Sequence, residues 1–475
     1  MTITRYEVDV VDRGGHIGRE LWIANGAATV TPPPGVDRTE SVRRPGFVVP
    51  GLHDAHLHLG SITAATVGVS LEGAVDLDDV SRRIAAHGAG DIVAIAFDET
   101  DMDPPRLLEA ADLDAMVEDR AVLVYRVCGH IAMANSVALE RAGISASTPD
   151  PAGGSIDRDV AGRPTGVLRE TAIDVVSTVI DDTSRDISDV GLGRTLNHLT
   201  TLGLTSVTAM VPAGAPAWCG PDDELDRLLA MEGGPPIPVD AILISNTVDD
   251  LTHHAGRLET HNVRFAGWKG FADGSLGGHT AALSAPYRDQ PATSGTIRYD
   301  SDDFRSMADA ALELGGSVAI HAIGDRAVAS VLDLYAELIR SGAPPDRLRV
   351  EHASVLTRAL IDEIADLGVI ASVQPAFVPS DARWLDDRLG SERARWAYPF
   401  RSMLDAGVRL AGGSDAPVER PDPLAGARAA VGRSGWNLEE ALEPWQALSL
   451  FADGTFDDGS ALWISPELDR FERLA

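Results

Sequence analysis

The chain has 475 residues, 44% apolar and 24% charged, which suits a globular protein of one large domain with a satellite, or two or three ordinary domains. Its 72 acidic against 40 basic residues give a net charge of −32 and argue against nucleic acid as a partner, because phosphate binding needs clustered cations. Two cysteines, Cys128 and Cys219, are too few for a disulfide framework, and no run approaches the roughly 20 apolar residues that span a bilayer.

The N-terminus, MTITRYEVDVVDRGG, lacks the apolar core of a secretory signal, so a cytoplasmic protein is expected. The first 45 residues, with VTPPPG at 30–35, read as short strands outside the main body. GFVVPGLHDAHLH (46–58) is then the first of eight apolar, strand-like runs. The stretch from about 60 to 200 does not fit one βα unit. It holds the strand candidates IVAIAFDE (92–99) and AVLVYRVCG (121–129) and the turn-rich GGSIDRDVAGRPTG (153–166), and predicts a subdomain inserted over a barrel mouth.

The other runs are GLTSVTAM (203–210), VDAILISN (239–246), RFAGWKGFADG (264–274) and GGSVAIHAIGD (315–325). RLRVEHAS (347–354), GVIASVQPAF (368–377) and GVRLAGGSDAP (407–417) complete them. Helical segments at 301–314, 325–342 and 357–368 separate the later runs. Strands alternating with helices imply parallel pairing, and eight units predict an α/β fold of the (β/α)8 TIM-barrel type. The end of the chain, from WQALSLFADGTFDDGSALWIS, is expected to return to the N-terminal strands in a small β-sandwich. The expected organisation is 1–48 for the first part of that sandwich, 49–450 for the barrel with its insertion, and 451–475 for the return.

Several chemically able side chains fall where these runs end. His56 and His58 are two apart, so in a strand both imidazoles share a face. Lys269 is the only lysine among the 40 basic residues. An amine can be deprotonated, form a Schiff base or be carboxylated to a metal ligand, none of which a guanidinium does. His321, His352 and Asp415 end later runs, and in a (β/α)8 barrel all such ends converge on one rim. Each has a bland reading alone: a chance H-x-H, a core histidine, a turn aspartate, an interfacial lysine. Their joint placement at strand ends is what favours a metal site, and imidazole and carboxylate donors suit zinc or another first-row divalent ion.

The motifs PGLHDAHLHLG, GGSIDRDVAGRPTGVLRE, GLTSV, WKGFADGSLGGHTAALSAPY, HAIGDRAV, RVEHAS, VQPAF and GSDAPVERPDP run in this order over about 48–423. The sequence resembles the amidohydrolase superfamily, and within it the YtcJ-like branch (amidohydrolase family 3), which includes N-substituted formamide deformylases. The resemblance implies two divalent metal ions, zinc first among them. His56, His58 and Asp415 would hold one, His321 and His352 the other, and carboxylated Lys269 would bridge them. It implies hydrolysis of an amide-type C–N bond of a small molecule by a hydroxide shared between the ions, with Asp415 as general base and then acid. It places His130, Asp273, Arg326 and Gln374 on pocket loops as substrate contacts, while Trp218 and Trp384 either line the pocket or pack. A homodimer is one option for assembly, and neither membrane nor nucleic acid is expected. Two rivals stand beside this reading: a mononuclear-metal aminohydrolase without a lysine ligand, and a catalytically silent metal-binding barrel. The chain departs from the family in having His279 where arginine is usual, and in an altered stretch after Trp445 that implies a reduced C-terminal return.

Overall fold

A computed structural model describes residues 3–475 except 34–38, 68, 88–89, 128, 152–153, 181–188, 215–222, 259–261, 300 and 457–458. The eight strand-like runs form one eight-stranded parallel sheet. Its strands are β1 (Leu52–Leu57), β2 (Leu204–Pro212), β3 (Val239–Ile244), β4 (Val263–Phe271), β5 (Ser317–Ala322), β6 (Leu348–His352), β7 (Ile370–Val373) and β8 (Arg409–Gly412). Neighbours pair in chain order, and the barrel nearly closes where Leu57 bridges Ala416, just past β8. That seam is tied by Asp415 N–H to the His56 carbonyl at 2.7 Å and His58 N–H to the Ala416 carbonyl at 2.9 Å.

The helices between strands are amphipathic and cover the barrel. Asp325–Arg340 turns Val328, Val331, Leu332, Tyr335 and Leu338 inward at three- and four-residue spacing. The Tyr335 hydroxyl reaches the carbonyls of Val318 and Arg349, so this helix also locks β5 to β6. Arg358–Leu367 starts where the Thr357 hydroxyl accepts the Leu360 N–H, and stops at Gly368 in the left-handed region at φ 68°.

The termini come together in a six-stranded sheet, ordered Phe471–Arg473, Leu462–Ile464, Thr39–Val49, Ile3–Asp12, Gly15–Ala24, Ala27–Thr29. Between β1 and β2 a second six-stranded sheet is ordered Gly154–Arg158, Pro164–Glu170, Ile131–Ala134, Val122–Arg126, Ile92–Phe97, Val69–Ser70. Apolar clusters line both its faces, one around Leu71, Val80 and Phe97, the other around Leu123, Ile173 and Val176, so this insert buries a core of its own. It reaches the loops that follow the barrel strands: Asp98 meets Arg383 at 3.0 Å, Glu72 meets Arg420 at 2.9 Å, and buried Glu170 meets buried Arg298 at 2.6 Å. Among the described residues no helix is long and apolar enough to cross a membrane.

Candidate metal centre

Lys269, His321, His352 and Asp415 lie at or just past the C-terminal ends of β4, β5, β6 and β8, beside His56 of β1 and His58 just past its end. One ligand atom each from His56, His352 and Asp415 fall within 4.8 Å of one another. The Asp415 carboxylate lies 3.4 Å from His56 Nε2 and 3.2 Å from His58 Nε2. Lys269, 2% exposed, brings Nζ to 3.4 Å from His56 Nε2. The His352 ring lies 5.0 Å from that of His56 and 4.5 Å from that of His321, so the imidazoles form a continuous arc.

Local backbone geometry sets this cluster. His352 and Asp415 have φ of 74° and 56°, left-handed conformations that cost a non-glycine residue about 1–3 kcal/mol each. Gly413 lets the β8 loop lie against β1, since a Cβ there would come within 2.7 Å of the His56 backbone nitrogen. The sequence GGSD therefore aims Asp415 at the histidines through a close backbone approach as well as a turn.

The electrostatics suit a cation. Burial is the largest influence on His56, helped by the Lys269 charge, and lowers its imidazole to about 4. Burial likewise holds His321 and His352 well below the usual range, so all three are neutral donors at pH 7. For Asp415, burial pushes upward but is outweighed by His56, His58 and His352, which keep the carboxyl ionised far below its ordinary value. Three of the four imidazoles have one nitrogen held from behind. His56 Nδ1 sits 2.6 Å from Glu351, His352 Nδ1 2.8 Å from Gln374 Oε1, and His321 Nε2 3.0 Å from the Gly274 carbonyl. Neutral imidazoles with a held back nitrogen, next to an ionised carboxylate, are the donor set of a first-row divalent ion.

The four expected substrate contacts divide. His130 lies beside the arc, its ring 5.3 Å from that of His321, and pairs with Glu170 at 2.9 Å. Burial would raise Glu170, but His130 and Arg298 outweigh it and hold that carboxyl at about 2. Gln374 is buried behind His352, and its amide nitrogen has no hydrogen-bond partner among the described residues. Asp273 is fully buried, and its two oxygens accept the N–H groups of Ala282, Ile323 and Gly324. That makes it an anchor between the β4 and β5 loops, and one of its oxygens also lies 3.4 Å from His321 Nε2. Arg326 is exposed and donates to the Ser294 and Gly295 carbonyls, away from the cluster.

Beside the cluster a cavity of about 530 Å³ opens between the insert and the barrel loops. Its walls include Arg126 from the insert and Leu276, Phe377, Trp384, Tyr398 and Val418 from the barrel. The Phe377 ring stacks parallel to His352 at 6.3 Å, and Ala416, next to Asp415, also lines the cavity, which joins it to the rim. Trp384 thus lines the cavity; Trp218 lies outside the described residues. Two wall carboxyls were not anticipated. Asp381 accepts from the Tyr398 hydroxyl and Glu419 from Ser380, and burial raises each to about 7.

Glu351 was also missed, although it directly precedes His352. Strand alternation would put neighbours on opposite faces, but the left-handed turn at His352 breaks the alternation and leaves both side chains buried at the rim.

A fold with this cluster defines the metal-dependent barrel hydrolases, and the comparisons agree. Residues 46–453 match the model of the amidohydrolase family, and the chain belongs to it. It is 32% identical to the putative amidohydrolase YtcJ of Bacillus subtilis, over 89% of this chain and 82% of that one. It is 30% identical to an N-substituted formamide deformylase of Arthrobacter pascens, over 85% and 78%. The structure of an uncharacterized metal-dependent hydrolase from Pyrococcus horikoshii superposes with a TM-score of 0.72 at 27% identity, covering 98% of each chain.

Proposed function

We propose that the protein hydrolyses an amide-type C–N bond of a small molecule at a centre of two divalent ions, zinc the expected one. The convergence of four histidines, Lys269 and Asp415 on one rim carries this reading. His56, His58 and Asp415 would hold one ion and His321 and His352 the other, with carboxylated Lys269 between them. Charge supports the carboxylation: a buried ammonium 3.4 Å from His56 would repel two dications, whereas a carbamate supplies the anion they lack. When bound, such ions bring the pKa of water toward neutrality and polarise a carbonyl. Asp415, held ionised, takes the proton from water and delivers it to the leaving amine. His130 and the free amide nitrogen of Gln374 would hold the substrate's oxygen, with its side groups in the cavity. The relative named for N-substituted formamides makes N-formyl and N-acyl compounds the first to assay.

A mononuclear aminohydrolase is the second reading, favoured because His56, His352 and Asp415 make a tight set without Lys269. Metal content per chain, on protein prepared with bicarbonate, separates the two. Two ions in wild type, falling to one or none in Lys269→Ala, support the bridged centre. One ion in both variants demotes Lys269 and favours the deaminase, and none in either leaves a silent barrel.

A further inference from the structure

The nitrogens that face away from the cluster are not held alike. His56 Nδ1 meets a carboxylate oxygen of Glu351 at 2.6 Å. Glu351 is fully buried and gripped by Arg349, with Nε at 2.8 Å and Nη2 at 3.2 Å, and the same guanidinium donates to the Ala55 carbonyl at 2.9 Å. Arg349 and Glu351 are two apart on β6 and share a face, so the carboxylate is fixed in place behind His56. On the other side of the arc His352 Nδ1 meets the neutral Gln374 carboxamide, and His321 Nε2 meets the Gly274 carbonyl at 3.0 Å, with the Asp273 carboxyl farther off at 3.4 Å and already accepting three backbone N–H groups.

We propose that Glu351 and Gln374 are positioning residues that make the two halves of the centre unequal, so that the half built on His56 takes its ion first and more tightly. This rests on the metal reading above. A carboxylate behind an imidazole fixes its tautomer and raises its basicity as a ligand more than a neutral acceptor does, because a hydrogen bond to an ionised acceptor is about twice as strong. In a buried site that difference is little screened.

Titration of metal-free full-length protein with Zn2+ against a chromophoric chelator tests this, with bicarbonate present. Wild type is expected to bind in two resolved steps. Glu351→Gln is expected to weaken the first step about 10–100-fold and leave the second nearly unchanged. Gln374→Glu, which leaves the Arg349 contacts intact, is expected to tighten the second step and shrink the gap. Co2+ provides a readout that loss of packing would not imitate: the visible band of the first equivalent should shift in folded Glu351→Gln. Two steps whose affinities neither variant alters would overturn the inference and leave the metal reading standing. A wild-type chain that binds no metal overturns both, and one that binds a single ion overturns the order of filling.

Discussion

Two histidines three residues apart on β1 occupy opposite kinds of surroundings. His53, nearer the start of the strand, gives one ring nitrogen to the Ser206 hydroxyl at 2.7 Å and the other to Thr208 at 3.0 Å. Ser206 in turn donates to an Asp453 carboxylate oxygen at 2.7 Å, so both ring nitrogens of His53 are taken up by hydroxyls. His56, at the rim, commits only Nδ1 and turns Nε2 toward Asp415 and Lys269. Both rings are buried, and burial lowers both, to about 3 and about 4. Burial and a shifted pKa therefore do not separate a structural histidine from a candidate ligand. The uncommitted nitrogen does.

Four experiments sharpen or break this contrast. Asp415→Asn keeps the side-chain shape but removes the proton acceptor. Once a substrate is found in the N-acyl panel, kcat is expected to fall about 10²–10⁴-fold while metal content falls far less; near-full kcat would end the proton-shuttle role. The same substitution at two positions on one strand comes next. His56→Leu should lose metal, whereas His53→Leu should keep it and cost about 1–3 kcal/mol of stability for the hydroxyls left unpaired. Metal analysis and urea melts read both, and metal loss in His53→Leu would dissolve the distinction.

Glu224 gives a pH test near the rim, where it accepts the Gly60 N–H and burial raises its carboxyl from 4.5 to about 8. The folded chain keeps that proton where the unfolded chain has released it. Stability from this group is therefore present below pH 4.5 and lost as pH rises to about 8. Within that window it falls by about 1.4 kcal/mol per pH unit. Glu224→Gln should remove this slope from denaturation midpoints measured between pH 5 and 8.5, and parallel curves would assign the slope elsewhere. The smallest effect is expected at the exposed Arg383–Asp98 pair between insert and barrel. Arg383→Ala should change stability by less than about 1 kcal/mol and show itself in KM, since Arg383 lines the cavity; a large drop in stability would mean that the pair holds the insert in place.

The barrel was legible because its strands are short apolar runs that end in polar chemistry, and each of the eight runs holds one strand. The rim residues were legible for the same reason: strand ends in this fold have one destination. The anchoring role of Asp273 was not legible, because an aspartate on a pocket loop looks alike whether it faces ligand or backbone, and only the three converging N–H groups reveal it. Glu351 escaped because its position depends on one left-handed residue beside it. The cavity wall could not be foreseen either. Arg126 and Gly277 are far apart in sequence, and no periodicity announces that a Cβ on Gly277 would touch the Arg126 guanidinium at 2.9 Å.

The seam between β1 and β8 also sets an order in time. His56 and His58 leave the ribosome among the first residues of the barrel, and Asp415 among the last. Because the Asp415 backbone is held by His56 across that seam, a nascent chain stopped before β8 carries five of the six rim residues yet lacks both the carboxylate and the closure that aims it. Assembly of the rim cluster is thus coupled to completion of the barrel.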